Sequence, residues 1–69
     1  MATYFIGYYN KPWAAEDKDF VVLAQTHSAG VAEFIERSYN DGYKAAGMSV
    51  HAVTVSNEDL KVNSYRYAD

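Results

Sequence analysis

The chain has no cysteine, a single proline (Pro12) and no long hydrophobic run. Without cysteine it has neither disulfides nor thiolate metal sites, which often stabilise domains of this size. The two histidines, His27 and His51, lie far apart and make a poor framework for a metal. No stretch approaches the roughly 18 apolar residues that a membrane span requires. We therefore expect no metal, no other cofactor and no membrane association.

Basic residues are also few, since six Lys and Arg stand against nine Asp and Glu, for a net charge of −3. Nucleic-acid binders depend on a basic surface, so nucleic acid is a disfavoured partner, whereas a basic protein surface would complement this charge. The N-terminus shows no basic segment followed by an apolar one, as a signal peptide would. Together with the lack of cysteine, this predicts a cytoplasmic protein.

Tyrosine is abundant, with seven among 69 residues. A chain of this length predicts one compact domain, residues 1–69. Such a domain buries only about 60% of its unfolded surface, so self-association is one way to support its core. Tyrosine is enriched at protein interfaces, and it also favours half-buried positions in strands.

Residues 31–46 carry the clearest pattern, that of an amphipathic helix. Ser28 is the expected N-cap and Gly47 the residue that ends the helix. We expect the apolar side to pack on a sheet, with Gly42 allowing a close approach. That side comprises Val31, Phe34, Ile35, Ser38, Tyr39, Gly42, Ala45 and Ala46. The solvent side comprises Glu33, Glu36, Arg37, Asn40, Asp41 and Lys44.

Four runs have the composition of strands: residues 3–9, 19–26, 48–56 and 60–67. The first two are apolar on both sides, and Gly7 indicates a bulge or a close backbone approach. The last run alternates with polar residues, which suits an edge strand.

These elements predict an α+β domain with ββαββ order, a four-stranded mixed sheet and one amphipathic helix packed on one face. The simplest strand order is 1-2-3-4, with strands two and three parallel and the other neighbours in antiparallel hairpins. Strand one or four could insert elsewhere. Because one helix covers one face, we expect an open apolar and aromatic patch on the other, as at protein interfaces.

No catalytic or nucleotide-binding motif is present, so we do not expect an enzyme. His27 and Ser28 lie at a strand-to-helix junction, but the G-x-S-x-G nucleophile elbow is missing and Ser28 is explained as a cap. Glu16, Asp17 and Asp19 cluster without a partner base.

The leading functional hypothesis is a non-enzymatic protein-binding module, an inhibitor or adaptor that blocks a protein surface. The open sheet face, an edge strand and the acidic helix face are alternative binding surfaces. The candidate partner-binding residues are aromatic side chains of strands one and four, the loop tryptophan and two helix acids. They are Tyr4, Tyr8, Trp13, Tyr65, Tyr67, Glu33 and Glu36.

In its small size, lack of cysteine, compact α/β layout and surplus of tyrosine, the chain resembles phage-encoded inhibitors of host nucleic-acid machinery, anti-CRISPR proteins among them. The resemblance implies steric blocking of a nucleic-acid-handling complex, with tyrosines and acidic side chains meeting a basic groove. Two alternatives are a single-stranded nucleic-acid binder that stacks bases on sheet tyrosines and a homodimeric assembly subunit.

Overall fold

The computed structural model describes residues 2–10 and 19–58 in full, and residues 64–67 by their backbone. The elements are β1 (Tyr4–Tyr9), β2 (Asp19–Thr26), α1 (Ala29–Ala45), β3 (Val53–Ser56) and β4 (Ser64–Tyr67). An α+β fold is thereby confirmed, with one helix packed against a three-stranded antiparallel sheet. Residues 59–63, which connect β3 to β4, lie outside the described residues, and the complete ββαββ layout stays a prediction.

β1 is the central antiparallel strand. It pairs with β2, as predicted for a hairpin, and on its other side with β3. The expectation that β2 and β3 are neighbours is wrong, because β1 lies between them. A strand that is apolar on both sides gains most from a position in which both faces are covered, and β1 is such a strand.

β4 is the strand beyond β2. Its backbone runs parallel to β2, with Phe20 opposite Tyr65 and Val22 opposite Tyr67. The predicted antiparallel pairing of strands three and four is therefore wrong, since the order is β3-β1-β2-β4. β3 and β4, which are consecutive in the chain, lie at opposite edges of this order.

Gly7 occupies an irregularity in the β1–β2 pairing. Ile6 faces Ala24 but Gly7 faces Val22, which leaves Leu23 as the extra residue of a bulge. A Cβ atom at Gly7 would overlap the carbonyl oxygen of Val21. Both the bulge and the close backbone approach predicted at this glycine are confirmed.

One core cluster lies between the sheet and α1. It consists of Ile6, Ala32 and Ala52, with Tyr4, Ala24, Ile35 and Tyr43 packed against it. Ile6 of β1 and Ala32 of the helix are almost completely buried. The helix thus contacts the sheet through one of its smallest side chains.

A second cluster of Phe5, Phe20 and Val22 belongs to the opposite face, because successive strand residues point to opposite sides. These side chains are only 7%, 0% and 1% exposed. Tyr9 packs edge-on against Phe20, with ring centroids 5.1 Å apart. The expectation of an open apolar patch on this face is wrong for these residues.

The two ends of α1 follow the sequence prediction. Ser28 Oγ accepts a hydrogen bond from the Val31 amide at 3.3 Å. At the other end, the Met48 amide donates to the Tyr43 carbonyl at 2.9 Å and the Gly47 amide to the Lys44 carbonyl at 3.1 Å. Gly47 has a φ of 73°, the left-handed conformation that glycine adopts readily.

Candidate docking surface

The side of α1 that faces the sheet is small and polar. Ala32 packs on Ile6 and Ala52, and the half-buried Glu36 accepts a hydrogen bond from Thr54 Oγ1 at 3.1 Å. The prediction that Glu36 lies on the solvent side is wrong. A carboxylate can lie against the sheet when a hydroxyl of the neighbouring strand donates to it.

Asn40 holds the segment after the helix against α1. Its Nδ2 donates to the Ala52 carbonyl at 3.0 Å, and its Oδ1 accepts from the Ala52 amide at 2.7 Å. The side-chain amide thereby replaces one rung of a β-ladder at a residue that is almost completely buried. Two predictions are corrected: Asn40 does not face solvent, and β3 begins at Val53 rather than at residue 48.

Ile35 and Tyr43 also pack against the helix-side cluster, but three other large apolar residues of α1 point elsewhere. Val31, Phe34 and Tyr39 are 48%, 70% and 36% exposed, so the prediction that they pack on the sheet is wrong. We call this surface the apolar ridge of α1, defined as Val31, Phe34, Ile35, Ser38 and Tyr39. A shallow groove of about 240 Å³ lies among its last four residues.

Gly42 lies on the same side of α1, beyond the last residue of the apolar ridge. Apart from its immediate helix neighbours, no heavy atom of the described residues would lie within 4 Å of a Cβ atom there, so the predicted close approach to the sheet is also wrong. Ala45, one turn further on, is exposed as well. This side of α1 is therefore bulky along the apolar ridge and flat beyond it, at Gly42 and Ala45.

Charged residues lie along one flank of the ridge, at positions 33, 37, 41 and 44 when the helix advances about 100° per residue. Arg37 pairs with Glu33 at 3.6 Å, with both side chains largely exposed. Such an exposed pair contributes little to stability. These charges are thus available to a second molecule at small cost.

Tyr39 also contacts a tyrosine beside the ridge. Its ring centroid lies 6.1 Å from that of Tyr43, which packs against the helix-side core cluster. Burial raises the pKa of the Tyr43 hydroxyl above its ordinary value, and the nearby Tyr8 and Tyr39 hydroxyls raise the pKa further. Tyr43 therefore serves the packing between helix and sheet in its neutral form.

Four of the predicted partner-binding residues have described side chains. Tyr4 packs against the helix-side core cluster and is half-buried, which makes it a poor platform for an unpaired base. Tyr8 is half-buried and lines a groove of about 350 Å³ with His51. Glu33 is exposed, whereas Glu36 is engaged by Thr54. The structure does not bring these four together as one surface.

The other three predicted residues have no described side chains. Tyr65 and Tyr67 lie in β4, where the backbone alone is described, and Trp13 lies outside the described residues. The residues that sequence reasoning missed as surface residues are Val31, Phe34 and Tyr39. A signal for them existed, because a stripe containing Ser38 and Gly42 offers little side chain to a core.

A depression of about 580 Å³ near the end of α1 shares Val50 and His51 with the groove beside Tyr8. Within residues 2–10 and 19–58, no three His, Cys, Asp or Glu side chains cluster in a way that could hold a metal ion. None of the described helical structure is both long and apolar enough to cross a membrane.

Comparisons with protein families, with curated proteins and with solved structures give no match to this chain. The apolar ridge of α1 is therefore interpreted from its own geometry.

Proposed function

We propose that this protein is a small, non-enzymatic protein-binding module that docks through the apolar ridge of α1. The observation that carries the proposal is Phe34, a large aromatic side chain left 70% exposed within a capped helix. Isolated exposed apolar residues are common, but Phe34 adjoins Val31, Ile35 and Tyr39 and forms a continuous row with them. Positions i, i+3, i+4 and i+8 belong to one apolar stripe of a helix, and such stripes dock into protein grooves.

The support beneath the ridge favours a docking role. Ser28 caps the start of the helix, and Asn40 and Glu36 tie its inner side to β3 and the segment before it. A helix held in this way presents its outer side chains with little further loss of conformational freedom on binding. We propose that the complete support is the four-stranded ββαββ sheet.

As a mode of action, we propose that the module works in the cytoplasm as an inhibitor or adaptor that covers a protein surface. The net charge of −3 suits a basic partner such as a nucleic-acid-handling complex. This is the mode implied by the resemblance to phage-encoded inhibitors. Electrostatic attraction would bring the partners together, and the apolar ridge would supply most of the buried area.

Photo-crosslinking tests the proposal. A photoreactive phenylalanine analogue is placed at Phe34 and, as a matched control, at the exposed turn residue Glu58, and the chain is expressed in its source cells. We expect a discrete protein adduct from position 34 that Val31→Asp weakens, and none from position 58. The absence of an adduct at position 34, with circular dichroism showing the folded chain, would refute the proposal.

A further inference from the structure

We propose that the groove beside Tyr8 binds a small, flat, uncharged aromatic molecule that carries both a hydrogen-bond donor and an acceptor. This groove has a volume of about 350 Å³ and is lined by residues 8–10, 49–51 and 53. We call it the strand-end groove. It shares no lining residue with the apolar ridge of α1, so this inference goes beyond the proposed function and stands or falls separately from it.

The strand-end groove lies where two paired strands separate. The pairing of β1 with β3 ends at Gly7 and Val53. Beyond Gly7, β1 continues along β2, whereas the segment before β3 is held to α1 by the two hydrogen bonds between Asn40 and Ala52. The opening between them is therefore built into the fold, by strand pairing on one side and by a side-chain amide on the other.

The size and the rings of the strand-end groove favour a flat aromatic ligand. Pockets for small molecules usually have volumes of about 300–1,000 Å³, so this one suits one or two rings with few substituents. Tyr8 and Tyr9 line it together with Val50 and Val53. A ring placed against tyrosine gains stacking or edge-on contacts in addition to the burial of apolar area. An aliphatic chain of the same size would gain only the burial.

The charge of the lining favours an uncharged ligand. None of the lining residues is an Asp, Glu, Lys or Arg. An ion that leaves water in such a groove loses hydration without meeting an opposite charge. Asp41 and Lys44 line the adjoining depression, and their opposite charges favour neither an anion nor a cation.

Polar side chains of the lining select among uncharged rings. Asn10, Ser49 and His51 line the strand-end groove and are exposed. The amide, the hydroxyl and the neutral imidazole each offer both a donor and an acceptor. A hydrocarbon ring would displace water from these groups without replacing its hydrogen bonds. A ring that bears an amide, or a nucleobase, presents both kinds of group at its edge and replaces them.

Two-dimensional NMR of the 15N-labelled chain tests the inference with three probes that share one ring system. They are 2-naphthamide, 2-naphthoate and 2-naphthamidine, which are uncharged, anionic and cationic. We expect 2-naphthamide to shift the amide resonances of residues 8–10 and 49–53, with a dissociation constant of about 1 mM or below. Each ion should bind at least about fivefold more weakly, because the lining offers it no opposite charge.

His51→Ala assigns the binding to the strand-end groove. His27→Ala is the matched control, because His27 is also exposed but contacts Ala2 and Thr3 instead. We expect His51→Ala to weaken the binding of 2-naphthamide about fivefold and His27→Ala to change it less than about twofold. The same spectra show that both variants are folded. An unchanged affinity in folded His51→Ala would count against the groove as the site.

Four other results would overturn the inference. The first is no shift at residues 8–10 and 49–53 with either 2-naphthamide or adenine, an uncharged base with donors and acceptors at its edge. The second is equal affinity for the three naphthyl probes. The third is a set of shifts confined to the apolar ridge. The fourth is the same shifts on raising the protein concentration alone, which would identify a second copy as the occupant. None of these results alters the crosslinking test at Phe34.

Discussion

Replacing Asn40 tests how the helix is held on the sheet. In Asn40→Ala, both hydrogen bonds to Ala52, at 3.0 and 2.7 Å, are lost. We expect the chain to unfold at a clearly lower urea concentration, because the backbone amide and carbonyl of the buried Ala52 both lose their side-chain partner.

The magnitude follows from the geometry. Each hydrogen bond contributes about 1 kcal/mol net, and the Ala52 amide, in a residue only 2% exposed, would be left unpaired at a cost of about 1–3 kcal/mol. The sum is about 3–5 kcal/mol. A domain of 69 residues has a total stability of roughly 3–10 kcal/mol. The variant should therefore be marginally folded at best.

The stability of the Asn40→Asp variant should depend on pH. An ionised carboxylate still accepts from the Ala52 amide but turns its second oxygen towards the Ala52 carbonyl, where Asn40 donates. Folding then favours the protonated acid, so the folded-state pKa lies above the usual value of about 4 and stability falls as pH rises through it. We expect this variant to be more stable near pH 4 than at pH 7.

Urea unfolding followed by circular dichroism measures both variants, with Asp41→Asn, an exposed neighbour, as the control. The control should change the free energy of unfolding by no more than about 0.5 kcal/mol. If Asn40→Ala costs as little as the control, the amide does not hold the helix and our account of its orientation fails.

Three further predictions concern other contacts. Gly7→Ala should cost about 2–3 kcal/mol in urea unfolding, because the added methyl group meets the backbone carbonyl of Val21, and an unchanged midpoint would contradict the close approach. Thr54→Val should cost about 1 kcal/mol by losing its hydrogen bond to Glu36, and a double-mutant cycle with Glu36→Gln should show coupling; additive effects would argue against the bond. Since the pKa of Tyr43 is raised in the folded chain, its hydroxyl ionises first in the unfolded state, and stability should fall as pH rises above about 10. Thermal melts of Tyr43→Phe should show a shallower fall in that range, and an identical pH profile would count against a raised pKa at the half-buried Tyr43.

Several binding residues predicted from the sequence have a different environment in the structure. Tyr4 and Glu36 looked available because tyrosine and glutamate are often surface residues, yet the fold uses one in packing and the other in a bond to Thr54. Phe34 looked like a core residue and is exposed. The helical pattern placed Ile35 on the sheet side correctly, and it placed the charged residues at 33, 37, 41 and 44 correctly in solvent. It was wrong for Val31, Phe34 and Tyr39, which are exposed, and for Glu36 and Asn40, which bond to the sheet side.

Local chemistry in the sequence determined the ends of the elements. Ser28 begins α1, Gly47 ends it, and β2 spans the predicted residues, because a cap, a left-handed glycine and a short apolar run act within a few residues. Only the tertiary structure decided how α1 is rotated and that β1 separates β2 from β3. Those outcomes depend on contacts between distant residues, above all the pairing of Asn40 with a backbone twelve residues away. The helical period in a sequence predicts which residues share one side of a helix, but it does not predict which side packs on the sheet.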